Sequence, residues 1–244
     1  RAKPLGALPA RLYRTSTEIM MKIIIVTLLF FVQSTFAQNV VLNKVVKSNT
    51  NSDKFFYKIN VENTTAEYLG ELEVQGFSSD DVKVFGMIYK KAKEIGANAF
   101  SYQPFQTVEE TSPKFDAAHY KLNLYYVSAE NFPKEDNVIY LIASPYKKQN
   151  IAVNKQNIVF QPRTFTKRKL PSGETFSIST KKILGSTIQL SGEENQPVQF
   201  FQFSAFSINS NPYGTAGINL KSGDITRLEQ SYGQFLTTIY EEIK

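Results

Sequence analysis

Alternating apolar and polar positions in the first half of the chain predict strands on both sides of a single helix. Residues 54–61 and 67–74 place apolar side chains at every second position, which predicts an antiparallel hairpin. Residues 80–95 repeat apolar side chains at helical spacing, with acidic residues first and lysines last, as the helix dipole favours, and Ser78 or Ser79 is expected to cap this helix. Two further strands are expected at residues 97–102 and 120–127. The order β-β-α-β-β predicts a small domain with the helix across one sheet face.

Short apolar runs between turn residues predict a β-rich second half. Pro, Gly and Asn residues separate these runs at close spacing, a pattern typical of an antiparallel sandwich or a barrel. A helix with an apolar face is expected from Gly223 to the C-terminus, with Ser222 as its cap. The strand candidates are residues 138–143, 151–161, 174–180, 186–190, 198–208 and 216–220.

These elements together predict an α+β protein with two domains. A small β-β-α-β-β layer domain spans residues 38–130. A β-rich, sandwich-like or barrel-like half that ends in a C-terminal helix spans residues 138–244. The stretch between them carries the turn-forming and charged residues of a linker.

Residues 21–37 have the layout of a cleavable secretory signal. Lys22 supplies a short basic start, residues 23–32 form an apolar run, and Thr35 and Ala37 occupy the small-residue positions before the cut. The apolar run is about half of the ~20 residues that a membrane-spanning helix needs, so a permanent anchor is disfavoured. We therefore expect cleavage near Ala37 and a periplasmic or secreted product.

Residues 1–20 precede this signal and are rich in Pro, Gly, Ser and basic side chains. A secretory signal normally begins at the start of a chain, so we expect residues 1–20 to be an upstream extension, with Met20 or Met21 as the true initiator. An organellar transit peptide is the alternative, because Arg11 and Arg14 fit its basic, acid-poor composition.

Composition narrows the functional classes. Residues 1–37 carry five basic and one acidic side chain, so the formal net charge of +6 falls to +2 for the remaining 207 residues. This balance and the export signal disfavour nucleic acid as a partner. The chain has no cysteine, which excludes thiol catalysis, thiolate metal sites and a lipid-attachment cysteine. A disulfide-free exported protein of this size fits a bacterial envelope better than a small eukaryotic secreted domain.

Residues 67–127 resemble a recurrent type of bacterial envelope domain. The strand EYLGELEV (67–74) leads into a helix that closes with KAKEIGANA (91–99), and a further strand follows. This pattern is similar to the family of the Rcs-pathway stress-sensing lipoprotein and to small heavy-metal-binding domains of related fold. The resemblance implies the layout alone, with Gly96 as the helix stop. The family's cysteines, its lipid-attachment site and a cluster of metal ligands are missing from this sequence.

The candidate catalytic residues each have a structural explanation. Glu71 and Glu73 share one strand face at a spacing of about 6.5–7 Å, which suits acid–base work on a glycosidic bond. A solvated outer sheet face accounts for them better. His119 is the only histidine, and neither a nucleophile elbow nor further zinc ligands accompany it. We therefore expect no catalytic residue, no metal site and no cofactor.

Basic residues concentrate between residues 145 and 182, where Glu174 is the only acid. On adjacent strands and loops they would form a positive patch for lipid headgroups, lipopolysaccharide phosphates or an acidic polysaccharide. The alternative is a set of solvated turns and edge strands, where lysine blocks sheet-to-sheet pairing. The candidate patch for an anionic ligand comprises Lys147, Lys148, Lys155, Arg163, Lys167, Arg168, Lys169, Lys181 and Lys182.

Two functional hypotheses follow from these patterns. The first is an exported, non-catalytic envelope or secreted module that binds another envelope protein, a polysaccharide or an anionic lipid surface, without a membrane span once the signal is removed. The second is a carboxylate-dependent hydrolase of cell-wall or extracellular polysaccharide, which requires an acid pair in a cleft. The positions of Glu71 and Glu73 discriminate between the two, because acids on an open sheet face do not form such a cleft.

Overall fold

A computed structural model of the chain describes residues 21–22, 39–76, 78–103, 116–180, 185–204, 221–222 and 224–243. The elements below all belong to one compact unit, Gln38–Lys244. Most of the predicted signal peptide lies outside the described residues. The predicted strand at 216–220 and the patch lysines Lys181 and Lys182 also lie outside them.

Within the described residues the chain forms fifteen strands and two α-helices. The helices are α1 (Asp81–Glu94) and α2 (Gln230–Ile239), and a short 3₁₀ turn spans Ala129–Asn131. In chain order the strands are β1 (Asn39–Val45), β2 (Tyr57–Lys58), β3 (Glu67–Gln75), β4 (Ala99–Gln103), β5 (His119–Tyr126), β6 (Val138–Ile142), β7 (Gln149–Val153), β8 (Gln156–Phe160), β9 (Thr164–Lys169), β10 (Thr175–Ser179), β11 (Thr187–Ser191), β12 (Gln199–Phe203), β13 (Lys221–Ser222), β14 (Ile225–Leu228) and β15 (Glu241–Glu242).

The first sheet has five strands in the order β1-β3-β5-β4-β2. The first four are antiparallel neighbours, whereas the two-residue strand β2 pairs parallel with β4. Alternation along β3 and β5 turns Leu72, Val74, Leu122 and Leu124 inward, where all four are fully buried. These side chains share a core with the buried stripe of α1, so the helix covers the inner face of this sheet.

Helix α1 lies within the predicted residues and ends as predicted, but its predicted cap, Ser78 or Ser79, is wrong. The Asp80 side chain caps it by accepting a 3.0 Å hydrogen bond from the Lys83 backbone N–H. Phe85 and Ile88 lie on the buried stripe. Gly96 ends the helix with a φ of 76°, in the left-handed region that glycine adopts without a Cβ penalty.

Two further sheets form the second half of the chain. One has four antiparallel strands in the order β11-β10-β7-β8, and the other has six in the order β13-β14-β12-β6-β9-β15. The larger sheet is mixed, because β12 pairs parallel with β6 and β15 pairs parallel with β9. Ile139 and Phe201 of the larger sheet share a core with Ile151 and Ile178 of the smaller one. One face of each sheet is therefore buried against the other.

A second core joins the first sheet, both helices and the opposite face of the six-stranded sheet. Helix α1 contributes Phe85 and Ile88, α2 contributes Phe235 and Leu236, and β12 contributes Phe200. The Phe85 and Phe235 rings lie 5.3 Å apart between centroids. Side chains from both halves of the sequence thus bury one continuous core. The predicted domain boundaries stay a prediction.

The predicted antiparallel hairpin of the first two strand candidates is wrong. Strand β3 pairs with β1 and β5, and β2 is reduced to two residues beside β4. The β2 segment bonds instead to helix α2. The Phe56 backbone N–H donates to Ser231 Oγ at 3.0 Å, and the Lys58 N–H donates to Gln234 Oε1 at 2.8 Å. A distant helix therefore satisfies this backbone, which local alternation cannot reveal.

The C-terminal helix is confirmed, but its predicted start is wrong. Helix α2 begins at Gln230 rather than Gly223, and the Glu229 side chain caps it by accepting a 3.2 Å hydrogen bond from the Tyr232 N–H. The predicted cap, Ser222, lies instead in β13, which pairs with β14. The short run of β14 fits a strand as well as a helix, so periodicity alone did not separate them.

Two further strand predictions differ from the structure: one run forms two strands, and one strand was not predicted. The run 151–161, predicted as one strand, forms β7 and β8 with a tight turn at Asn154 and Lys155, whose φ angles are 48° and 69°. Strand β9 has no counterpart in the sequence prediction, because its sequence TFTKRK is too polar to be recognised as a strand.

The α+β class is confirmed, since the described residues are mainly strand with two helices, one of them C-terminal. Neither helix in the described part of the chain has the length and apolar character needed to cross a membrane.

A prediction on pH dependence follows from Lys93, near the C-terminal end of α1. Its Nζ donates to the carbonyls of Phe55 and Ala97 at 2.7 and 2.9 Å. Burial lowers its pKa to about 8 from 10.5, with Asp53 opposing the shift. The unfolded chain therefore binds more protons between these values, so stability increases as pH rises through them.

Between pH 8 and 10.5, we expect the free energy of unfolding of wild type to rise by about 1–2 kcal/mol relative to that of Lys93→Met. This is less than the full pKa shift implies, because the amine is partly exposed to solvent. Urea unfolding at several pH values measures this difference. Lys91→Met, on the same helix, controls for the loss of a lysine. A constant difference between wild type and Lys93→Met across the range would contradict the prediction.

Candidate functional site

A cleft of about 490 Å³ lies where the six-stranded sheet meets helix α2 and the chain around β2. Its volume falls within the ~300–1,000 Å³ range of small-ligand sites. The lining residues come from segments that are far apart in sequence: the β2 region, the segment after the 3₁₀ turn, strands β6, β9, β12 and β15, and α2. They divide into an apolar floor and a polar rim.

Three aromatic rings and Ile59 form the floor of the cleft. Tyr140 of β6 and Phe200 of β12 are partners in the parallel register, and their rings stack with 4.9 Å between centroids. Phe165 of β9 lies beside Tyr140, with 6.0 Å between ring centroids. Ile59, Phe165 and Phe200 are buried, and Tyr140 is half-buried. The packing of the sheet therefore holds this floor in place.

Glu135 organises one side of the cleft. Its carboxylate pairs with the Lys167 ammonium, and the Tyr140 hydroxyl donates to it at 3.1 Å. Burial and the nearby Glu135 charge raise the pKa of Tyr140 to about 12, and the hydrogen bond to Glu135 raises the pKa of Lys167. The Lys167 Nζ lies 5.6 Å from the centre of the Tyr140 ring. Glu135 is therefore already engaged by protein groups, and Lys167 is largely neutralised.

Lys58 and Lys134 bring further positive charge to the cleft. Within the described part of the chain, neither ammonium group has a carboxylate within 4.0 Å. Lys58 is an exposed residue, but the surrounding protein partly desolvates its ammonium group and lowers its pKa, while the negative charges of Glu242 and Glu135 oppose the shift. The Lys58 ammonium thus faces both carboxylates at longer range without forming an ion pair with either.

Two amide side chains complete the polar rim, which we define as Lys58, Asn60, Lys134, Gln234 and Glu242. The Gln234 Oε1 accepts from the Lys58 backbone N–H at 2.8 Å, and the Asn60 Oδ1 accepts from the Glu62 N–H at 3.1 Å. These bonds hold both side chains in place, and the NH₂ group of each amide is a hydrogen-bond donor. The rim thus offers two ammonium groups, two amide donors and one carboxylate above an apolar floor.

The predicted basic patch is distributed over several elements. Lys147 and Lys148 lie in the exposed loop between β6 and β7, and Lys155 lies in the turn between β7 and β8. Among the patch residues that the structure describes, Lys167 is the only one that lines the cleft. Arg168 pairs with Ile139 and faces the opposite side of β9 from Lys167, while Lys169 follows at the strand end. A common anion-binding surface for the whole set stays a prediction.

Arg163 has a structural partner. Its guanidinium pairs with the buried carboxylate of Asp81 and donates to the Ser78 carbonyl at 3.3 Å. The Tyr240 hydroxyl donates to the same carboxylate at 2.6 Å, and the guanidinium lies 5.4 Å from the Tyr240 ring centre. This cluster ties the start of α1 to β9 and to the end of α2. The sequence explained Asp81 through the helix dipole alone.

Glu71 and Glu73 lie on the outer face of the first sheet, as predicted, and each contacts a basic side chain. Lys121 Nζ lies 2.8 Å from Glu71 Oε1, and His119 Nε2 lies 2.7 Å from Glu73 Oε1. Burial opposes the shift for Glu71, but hydrogen bonds from Lys121 and Asn43 outweigh it and lower its pKa. Hydrogen bonds from Gln75 and His119 lower the pKa of Glu73. Neither glutamate is therefore held protonated for use as a general acid.

No group of three or more His, Cys, Asp or Glu side chains in the described residues is arranged to hold a metal ion. Comparison of the chain with protein-family models, with curated proteins and with solved structures gives no match. The resemblance of residues 67–127 to envelope domains stays a prediction.

The residues of the cleft are not recognisable as a site from the sequence. Lys134 and Glu135 fall in the predicted linker. The Val198 N–H, directly before β12, donates to the Glu135 carbonyl at 3.1 Å and so holds this backbone in place. Tyr140 sits inside an apolar run that indicated core packing alone. The one usable signal was the adjacent charge pair at 134–135, which a flexible linker does not require.

Proposed function

We propose that the protein is an exported, non-catalytic binding module of the bacterial envelope, and that the cleft is its binding site for an anionic ligand. Export is supported by the signal-like pattern of residues 21–37, and an envelope location by the absence of cysteine. The observation that carries the binding function is the juxtaposition of Lys58 and Lys134 above a preformed apolar floor. Concave sites with few polar groups on an apolar floor are typical of ligand binding.

Retention on anionic surfaces tests this proposal. The purified full chain is passed over immobilised polygalacturonate and mixed with phosphatidylglycerol vesicles, with cellulose and phosphatidylcholine vesicles as neutral counterparts. We expect retention on at least one anionic material. The Lys58→Gln/Lys134→Gln double variant should bind at least about tenfold more weakly, because hydrogen bonds from charged donors contribute about 1.5–3 kcal/mol each.

The matched control is Lys147→Gln/Lys148→Gln, which removes the same charge from an exposed loop of the predicted basic patch. It should bind within about twofold of wild type, since long-range attraction between exposed charges is screened at physiological salt. If both double variants lose binding equally, or if the control alone loses it, the basic patch is favoured as the binding site and the assignment of the cleft is overturned. Failure to bind either anionic material overturns the proposal itself.

The hydrolase hypothesis has one observation in its favour, since Glu135 and Glu242 line the same cleft. Glu135 accepts from Lys167 and Tyr140, which leaves Glu242 as the acid with a free carboxylate on the described rim. A reducing-end assay on the same polygalacturonate separates the two functions. Release of reducing ends that is lost in Glu242→Gln supports the hydrolase, and binding without release supports the binding module.

A further inference from the structure

We infer that the ligand of the cleft is an acidic saccharide, that is, a pyranose chain bearing carboxylate groups. This inference rests on the proposed function and deepens it by naming the chemical class of the anion. Three features of the cleft carry it: the recessed apolar floor, the presence of both charges on the rim, and the two amide side chains of the rim.

The recessed floor favours a ligand with its own small apolar face. Phe165 and Phe200 are buried at the bottom of the cleft, and Lys58 and Lys134 are exposed above them. A pyranose ring presents axial C–H groups on one face, which suit such a floor, while its substituents point sideways to the rim. A bilayer surface is broad and flat at this scale, so it would contact exposed lysines anywhere on the protein and gain nothing from the floor.

The mixed charge of the rim argues against a simple inorganic anion. Lys58 and Glu242 line the same cleft, so a ligand bound there meets charges of both signs. A carboxylate beside a phosphate or sulfate repels it. The same carboxylate is a strong acceptor for sugar hydroxyls, because hydrogen bonds to ionised groups are shorter and stronger than neutral ones. Glu242 is therefore favourable only if the ligand also donates hydrogen bonds.

The rim amides add hydrogen-bond donors of the kind that such a ligand needs. The backbone N–H groups of Lys58 and Glu62 donate to the Gln234 and Asn60 oxygens at 2.8 and 3.1 Å, which holds both side chains at the rim. Their NH₂ groups are donors, and hydroxyl, ring and carboxylate oxygens are suitable acceptors for them. The rim therefore matches each polar group of a uronate. The ammonium groups suit its carboxylate, the amides suit its neutral oxygens, and Glu242 suits its hydroxyls.

Calorimetric titration with three probes tests the inference on the full chain. The probes are trigalacturonate, its methyl ester, in which the same sugar lacks the charges, and inorganic sulfate. We expect trigalacturonate to bind, and Lys134→Gln to weaken it at least about tenfold. The methyl ester should bind much more weakly than the acid and be insensitive to Lys134→Gln.

The Glu242→Gln variant gives the decisive contrast. It should weaken trigalacturonate binding at least about fivefold, since the charged acceptor for hydroxyls is lost, and strengthen sulfate binding, since a repulsive charge is removed. Glu241→Gln is the matched control, because Glu241 is the exposed neighbour on the same strand and does not line the cleft. The Glu241→Gln variant should bind trigalacturonate and sulfate with affinities within about twofold of wild type.

The outcomes separate the inference from the proposed function. If phosphatidylglycerol vesicles bind through Lys58 and Lys134 while trigalacturonate does not, the saccharide inference fails and the anionic binding module stands. If trigalacturonate binding survives Glu242→Gln unchanged, or if the methyl ester binds as well as the acid, the inference fails in the same way. If no probe and no vesicle binds, both fail together.

Discussion

Replacing Arg163 with methionine is expected to lower the free energy of unfolding by about 3–5 kcal/mol. The Asp81 side chain is only 4% exposed, and its carboxylate pairs with the Arg163 guanidinium. Removing one partner of a buried ion pair leaves an uncompensated buried charge, which is the costly case, whereas the intact pair contributes little net stability. The Tyr240 hydroxyl at 2.6 Å cannot replace the lost positive charge. Urea unfolding measures the loss.

Arg168→Met is the matched control for this prediction. Arg168 lies on β9, the strand that begins directly after Arg163, and its Nη1 donates to the Lys167 backbone carbonyl at 2.9 Å. We expect a change of at most about 0.5 kcal/mol there, as for most surface substitutions. The Asp81→Asn/Arg163→Met double variant should be more stable than Arg163→Met alone, because no buried charge then remains unpaired. A loss at Arg163 as small as that at Arg168 would contradict the role of the buried pair.

How far the sequence predicted the fold depended on how local each element's determinants are. The extent of helix α1 was predicted well because its apolar stripe and its terminal glycine lie within one short stretch, although Asp80 rather than a serine caps it. The β2 segment was not, because its partner Ser231 lies 175 residues away from Phe56. Strand β9 was missed for a related reason. Its polar side chains are partnered by Glu135 and by the neighbouring β6, neither of which local pattern identifies.

The cleft shows the same limit more sharply. Lys58, Glu135 and Gln234 are unremarkable singly, since each fits a solvated surface position. Their chemistry arises only when the parallel pairing of β6 with β12 and of β9 with β15 places Tyr140, Phe200 and the chain end beside α2. The sequence predicted an anionic ligand from clustered lysines, and that ligand stays a prediction. The predicted cluster consisted of lysines that are close together in the sequence. In the structure, the lysines of the cleft come from distant segments and surround an apolar floor.

Replacing Gly96 with alanine is expected to lower the free energy of unfolding by at least about 3 kcal/mol, because the chain approaches this residue closely. Gly96 has a φ of 76°, and a Cβ there would lie 1.8 Å from the Asn49 carbonyl oxygen. Asn49 cannot easily retreat, because its N–H donates to the Ile95 carbonyl at 3.0 Å. The variant therefore incurs the left-handed backbone cost of about 1–2 kcal/mol and a backbone clash in addition.

Gly173→Ala separates these two contributions. Gly173 also has a positive φ, 81°, but a Cβ at that position would meet no atom within 4 Å. We expect a loss of about 1 kcal/mol, from the backbone conformation alone. The difference between the two alanine variants, measured by urea or thermal unfolding, then reports the contact between the end of α1 and the segment that follows β1. Equal losses at the two glycines would show that this segment yields to the added methyl group, so that the contact does not fix the helix against the sheet.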